Sequence, residues 1–461
     1  MTDDSGVEVL TAADAEDAQA RSAGALLAAG CRQSDRVAFC LPSSAALLCA
    51  VLGALRVGIV PVLLNATLTV VERDLLIDDA EPVLAILDRD TLDRLDAGSP
   101  TTLAPFPRSR PMHYTSGTTG RAKGVWCGLW DSGIAAAAAA DEADLWDFGP
   151  DDVHLVCSPM YHSVSVRFAG GTLLRGGTCV ILDHFDADRA AAALEGAYGP
   201  VPTTTFLAPS ALARLLMLPD TRLQRFAALR LLVHAGSPCP PALKRAALEV
   251  VGSDVLWEFY GSTEGQFTVC PPEAWRERPG TVGQARSGRS LSVDDAGVVW
   301  CRPPDFARFT YWRDEDRTAA AWRDGAFTVG DLGRLDGDGY LFLDGRRDDL
   351  IITGGVNVYP AEVEAVLSDV AGVDGVAVFG LADEQWGQRV CAAVVAVPGA
   401  DPAAVVAACR EQARSCLAGF KRPKQYEVAD ALPRTATGKV QRLALPGILG
   451  LDDTGAIGRQ R

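Results

Sequence analysis

The apolar residues of the first ninety positions fall in short solid runs separated by longer, mixed ones. "RVAFCL" (36–41), "VPVLLN" (60–65) and "PVLAIL" (82–87) are unbroken and rich in Val, Ile and Leu, which predicts strands buried on both faces. "AALLCAVLGALRVG" (45–58), closed by Gly58, and "TVVERDLLIDDA" (69–80) carry the spacing of helices. Strict alternation of the two kinds predicts a parallel α/β sheet. The polar, proline-rich stretch 88–111, "DRDTLDRLDAGSPTTLAPFPRSRP", reads as a linker crossing the surface. "IAAAAAADEADLW" (134–146) is a helix by propensity and suggests no special role.

The strand pattern resumes with "DVHLVCSP" (152–159), "GTCVIL" (177–182), "TTTFLAP" (203–209), "LRLLVHAG" (229–236) and "DVLWEFYG" (254–261). Each run ends in small or polar residues, and in open α/β sheets ligands gather at the carboxyl ends of strands. Beyond "GRRDD" (345–349) the style changes. Strands at 351–353, 375–380, 389–397 and 424–430 and helices from Pro360 and Asp401 predict a separate, small α+β domain, residues 346–461, after a large domain of residues 1–345.

Composition narrows the class. The chain has 461 residues, of which 48% are hydrophobic, and a formal net charge of −16, so nucleic acid and anionic membrane are poor partners and an anionic ligand must be met by local donors. The acidic start "MTDDSGVEVL" lacks the basic segment of a signal peptide. The most apolar window, 45–64, is broken by Arg56, Gly58 and Pro61, which predicts a helix running into a strand rather than a membrane span. Twelve cysteines without metal-ligand spacing read as buried, reduced thiols, and the chain as cytoplasmic.

The informative stretch is "MHYTSGTTGRAKGV" (112–125). Thr115, Ser116, Gly117, Thr118, Thr119 and Gly120, followed by Lys123, supply hydroxyls, close-approaching backbone N–H groups and a cation, which is what a polyphosphate needs. The spacing is not that of GxxxxGK[ST], because Lys123 is followed by Gly124. The loop resembles the phosphate-binding loop of the adenylate-forming superfamily, which includes acyl-CoA synthetases, peptide-synthetase adenylation domains and luciferases. Further motifs follow in that family's order: "PMYHS" (159–163), "AGSP" (235–238), "YGSTE" (260–264), "TVGDLG" (328–333), "GRRDDLIITGGVNVYPAEVE" (345–364) and "PRTATGKVQR" (433–442). The resemblance runs from about Arg21 to Leu445. Ala122 stands where the family usually has proline, the first strand region is abbreviated, and 89–110 and 283–308 are short.

The resemblance implies roles. Ala235, Gly236, Ser237, Tyr260 and Gly261 would border adenine, Asp331 and Arg346 the ribose; Thr263 would reach the α-phosphate and Glu264 would hold Mg²⁺. His162 would gate the carboxylate, Asp348 would be the hinge of the small domain, Gly354 and Gly355 would leave room for a pantetheine arm, and Lys439 would be the cation between carboxylate and α-phosphate. Arg167 reads either as a contact to an acidic or polar substrate group or as a surface residue. The acid pocket is expected from residues near 162–172, 206–210, 234–239 and 259–268, with Phe168, Phe206, Phe259 and Phe267 making it apolar and fit for an aryl or medium aliphatic acid. The implied activity is ATP-dependent adenylation of a carboxylic acid, then transfer to coenzyme A, with a carrier-protein thiol, an amine or another small oxyanion as rivals, in a monomer or homodimer.

Overall fold

The computed structural model describes residues 6–451, except 116–121, 220–225, 227, 238, 240, 347–350, 359, 434–439 and 441. The chain separates into two compact units; the first ends at Gly345 and the second begins at Arg346, the second also taking in Thr67–Leu76, Thr115 and Lys123.

The first unit is built on two six-stranded sheets. In chain order the strands are β1 (Val7–Thr11), β2 (Arg36–Phe39), β3 (Val60–Leu63), β4 (Leu84–Ile86), β5 (Met112–Thr115), β6 (Lys123–Trp126), β7 (Val153–Val156), β8 (Thr178–Leu182), β9 (Thr204–Leu207), β10 (Leu231–His234) and β11 (Leu256–Glu258). One sheet has the order β1-β8-β7-β9-β10-β11, and the other runs from Thr310–Tyr311 through β6-β5-β3-β2-β4. All pairs from β8 to β11 are parallel, as are β2 with β3 and β4 and β3 with β5; β1 joins antiparallel. The expected parallel α/β architecture is therefore present. The helix α2 (Ala45–Arg56), between α1 (Ala12–Ala28) and the sheet elements, is buried from Leu47 to Arg56, which is why its sequence is apolar on every side.

Two sequence readings need correction. The segment after Asp88 is not a plain linker: Arg89–Asp96 is a helix, started by Asp88, whose Oδ1 accepts from Thr91 N at 2.8 Å, and held by buried Leu92 and Leu95. The aspartate cap and the i,i+3 leucines were visible in the sequence, but the surrounding charge and the prolines after Ser99 masked them. The alanine-rich helix Ser132–Trp146 forms as expected, but it also brings Asp141 and Glu142 to a cavity.

In the second unit, Val373–Asp383 and Gly387–Ala396 pair antiparallel, Gln425–Val428 adds parallel to the latter, and Ile351–Thr353 and Val356–Val358 complete the sheet. Helices Pro360–Ser368 and Pro402–Cys416 cover it around Val363, Leu367, Val405 and Cys409. All twelve cysteines are free, eight buried and four half-buried. Burial pushes the thiols of Cys49, Cys157, Cys239, Cys270 and Cys301 up to about 12.

Candidate active site

The carboxyl ends of β10 and β11 place the two motifs that follow them side by side. After His234 the chain passes through Ala235 and Gly236, where φ is +94° and an added Cβ would meet only open space, so glycine is required by conformation alone. After β11 the backbone folds on itself: Ser262 N donates to Gly265 O at 2.8 Å and Phe267 N to Tyr260 O at 2.9 Å, so 262–265 is a tight turn presenting Thr263 and Glu264. Glu264 is buried and accepts from Tyr311 Oη at 2.8 Å. Tyr260 Oη donates to Asp331 Oδ2, joining the aromatic residue and the aspartate of two motifs seventy positions apart. Sequence motifs that had no visible relation are thus hydrogen-bonded partners.

Behind this surface lies a buried ionic pair that the sequence did not announce. Lys244 donates to Glu258, and the His234 ring is 3.7 Å from the same carboxylate. Burial pushes the Glu258 carboxyl up and, with Lys244 nearby, holds His234 neutral, far below its ordinary range.

His162 occupies the residue before α6 (Ser163–Leu174), and burial pulls its imidazole down to about 4, so it is neutral at pH 7. Next to it, the Tyr161 carbonyl faces His113 Nδ1 at 2.9 Å. A carbonyl only accepts, so Nδ1 carries the proton of the His113 ring, which burial pulls down to about 3.

A cavity of about 170 Å³ opens between these elements. Ser262, Thr263, Gly265 and Gln266 form one wall; His113 and Arg110 lie at β5, Ser163, Val166 and Arg167 on α6. Leu52, Leu55, Phe106 and Trp130 supply apolar surface, so the stretch read as a linker is in part cavity wall. The floor is ionic. Arg286, almost wholly buried, donates to Glu142 Oε1 at 2.8 Å and pairs with Asp141 at 2.7 Å; Arg289 binds both oxygens of Asp141 at 3.0 Å; Arg167 pairs with Glu142 at 3.1 Å. Burial would raise Glu142, but Arg167 and Arg286 outweigh it and hold the carboxyl near 2.

The windows expected for the acid pocket can be compared with the described lining of this cavity. Residues from 162–172 and 259–268 line the cavity, and none from 206–210 or 234–239 does. The four phenylalanines are not in its lining. Phe168 and Phe259 pack on Trp146, and Phe206 on Phe168 and Phe259, at centroid distances of 5.2–6.2 Å; Phe267 packs on Tyr260 and Phe327. Aromatic rings prefer such mutual contacts to a surface that empties and refills. Sequence reasoning missed Arg110, His113, Asp141 and Glu142, whose only signal was charge inside otherwise apolar stretches.

In the second unit Gly354 and Gly355 form the turn between Ile351–Thr353 and Val356–Val358 with φ of +57° and +77°. Gly354 N donates to Trp386 O at 2.8 Å, and a Cβ on Gly354 would come within 2.8 Å of the Trp386 ring. Thr115 ends β5 and Lys123 starts β6. Ser116, Gly117, Thr118, Thr119, Gly120, Asp348 and Lys439 lie outside the described residues, as does the side chain of Arg346. Among the described residues no group of three or more His, Cys, Asp or Glu is arranged to hold a metal ion. A single buried carboxylate, Glu264, is the donor set of a Mg²⁺ that arrives with a nucleotide rather than of an all-protein site, so the residues present fit that ion. No helix among the described residues is long and apolar enough to cross a membrane.

A parallel sheet with glycine turns and a buried carboxylate at its ligand end, beside a cavity for a second molecule, defines a nucleotide-dependent ligase. The chain belongs to the AMP-binding enzymes: the family model described as AMP-binding enzyme matches residues 2–106 and 111–300, and that of the AMP-binding enzyme C-terminal domain matches 362–439. It is similar to an indoleacetate–CoA ligase of Aromatoleum aromaticum, 35% identical over 71% of this chain and 65% of that one. It is also similar to a 2-succinylbenzoate–CoA ligase of Listeria monocytogenes, 31% identical over 91% of this chain and 90% of that one. Among solved structures, the amide bond synthetase McbA of Marinactinospora thermotolerans superposes with a TM-score of 0.81 at 29% identity, covering 95% of this chain and 94% of that one. The expected family and two-part fold are those found.

Proposed function

We propose that the protein activates a small carboxylic acid with ATP and passes the acyl group to coenzyme A. The observation that carries this reading is that one turn, Ser262–Gln266, serves both sites: it presents Glu264 on the side of Tyr260 and Asp331 and forms a wall of the cavity through Thr263. An acid in the cavity therefore ends beside the residues assigned to the α-phosphate.

A carboxylate oxygen attacks the α-phosphorus, the bond to the bridging oxygen breaks, and pyrophosphate leaves. Lys439 is assigned the role of the cation between the two anions, where a preorganised charge would lower the barrier. Glu264 would hold a Mg²⁺ ion, which would supply shielding of phosphate charge. Asp331 and Arg346 hold the ribose and Tyr260 the adenine; the 115–123 loop cradles the phosphates. His162, being neutral, adds no charge next to the carboxylate. In the second step the thiol sulfur attacks the acyl carbon, AMP leaves with the carbon–oxygen bond pair, and the thiol proton goes to solvent. Asp348 is the hinge between steps, and the Gly354–Gly355 turn leaves a path for the thiol. The reaction runs in the cytoplasm. Cavity size selects the acid: an apolar cavity of about 150 Å³ holds a benzene ring, so the 170 Å³ here suits a single-ring acid.

The test is ATP–pyrophosphate exchange over a panel of single-ring and long-chain acids, followed by product analysis with CoA and with hydroxylamine. Exchange confined to ring-sized acids and acyl-CoA formation uphold the reading. Exchange without acyl-CoA, but with hydroxamate, makes an amine or a carrier thiol the acceptor; no exchange with any acid ends it.

A further inference from the structure

We propose that the cavity takes an acid bearing a second anionic group, a dicarboxylate whose far carboxylate lies between Arg110 and Arg167. The proposal rests on the reading that this cavity binds the acid.

The first ground is charge. Three arginines, Arg167, Arg286 and Arg289, share two carboxylates, Asp141 and Glu142, at the cavity floor. Arg110 lines the same cavity and has no ion-pair partner among the described residues. The cluster is thus cationic in excess, in a chain whose overall charge is strongly negative. A buried cation without a counter-charge is costly, and the cost is relieved by an anion far more than by a neutral group.

The second ground is hydrogen bonding. Nη2 of Arg110 and Nη2 of Arg167 are both buried and without a partner. A guanidinium has five donors in a fixed fork, the geometry that matches a carboxylate. Two such forks with free prongs at one cavity leave unmatched donors and no matching protein acceptor.

The third ground is position, and it separates this subsite from the reacting end. The His113 Nδ1–Tyr161 carbonyl contact ties β5 to the start of α6. From Thr115, the last residue of β5, Arg110 lies five residues upstream, about 16 Å along extended backbone. From His162, Arg167 lies five residues into α6, about 7.5 Å along the helix axis. Arg110 is therefore displaced from the end of β5, and Arg167 from His162. The carboxylate to be adenylated must sit near Thr263; the anion held by Arg110 is a different group on the same molecule. His113 Nε2 also lacks a partner and, with the proton on Nδ1, can only accept. A hydroxyl would satisfy that atom but would leave the excess charge uncancelled, so charge decides for the dianion.

The experiment compares acids of one skeleton: phenylacetate, 4-hydroxyphenylacetate and 4-carboxyphenylacetate, together with the benzoate series. ATP–pyrophosphate exchange is measured for the wild type, R110Q and R110K, and direct binding of each acid by calorimetry with a non-hydrolysable ATP analogue present. The expected result is a kcat/KM for the carboxylated acid about 10²-fold above that of its parent, since truncating one partner of a buried charge pair has effects of that size. R110Q should lower the carboxylated acid about 10²-fold more than the parent, and R110K should recover part of the difference. Equal use of parent and carboxylated acid, or equal loss for both in R110Q, overturns the proposal. Preference for the hydroxy acid overturns it too and makes His113 the selector. If no acid supports exchange, the ligase reading fails; binding of the dianion that R110Q abolishes would still uphold the subsite, and absence of such binding would end it.

Discussion

The nucleotide turn and the acid cavity share a wall but are built differently. At the turn, Tyr260 is bonded to Asp331 and Tyr311 to Glu264, and Tyr260, Glu264 and Asp331 come from short motifs that each read as a unit. The cavity draws Leu52, Phe106, Arg110, Glu142, Arg167, Gln266 and Arg289 from six separate stretches, and some of its donors have no protein partner. Chemistry common to all substrates is written in short motifs, each placing two or three functional groups on adjacent backbone. Selectivity is assembled from distant segments, and its unmatched atoms are the impression of a ligand.

That contrast gives a ranked set of tests. The largest effect is expected on the common side. Lys439→Ala should cut acyl-adenylate formation by about 10²–10³, by the same factor for every acid, while leaving conversion of supplied acyl-adenylate and CoA nearly intact; half-reactions assayed separately check this. A factor that varied from acid to acid would erase the distinction between the two regions. Next, Arg286→Met should cost about 3 kcal/mol in denaturant unfolding, at the low end for breaking a buried ionic network, because Arg167 and Arg289 still face Glu142 and Asp141. A stable Arg286→Met protein with unchanged acid preference would mean that the ionic floor is not part of the cavity's design.

Third comes pH. The Glu142 carboxyl, about 4.5 when unfolded, is held near 2 when folded, so its stabilisation is present above about 4.5 and is lost as pH falls toward 2. The shift amounts to about 3 kcal/mol. Denaturation curves of wild type and Glu142→Gln should therefore differ at pH 7 and converge as acid is added; parallel curves would detach Glu142 from its arginines. The smallest effect is on Tyr260→Phe. Losing one hydrogen bond to Asp331 should raise the KM for ATP about tenfold with acid preference unchanged, and a shift in preference would show that the turn also selects.

Much of the fold was legible. The solid apolar runs became parallel strands because a strand covered on both faces has no polar side to show, and the glycine-closed helix α2 followed from its composition. The helix Arg89–Asp96 was missed because two buried leucines are a weak signal among charges. The phenylalanines misled for a related reason: apolarity marks what is buried, and a packed core is buried more completely than a pocket. The charged cavity floor had no sequence signature, since Asp141, Glu142, Arg286 and Arg289 acquire meaning only when the helix Ser132–Trp146 meets a loop nearly 150 positions away.

The twelve free cysteines have a consequence for an enzyme of this kind. An acyl-adenylate is an acylating agent for any thiolate within reach, and a chain with so many sulfurs could modify itself at every turnover. Thiols held near 12 are ionised to about one part in 10⁵ at pH 7, and that is the state of Cys49, Cys157, Cys239, Cys270 and Cys301. These five sulfurs are thus kept chemically silent, so that the reactive intermediate passes them over for a thiol brought from outside.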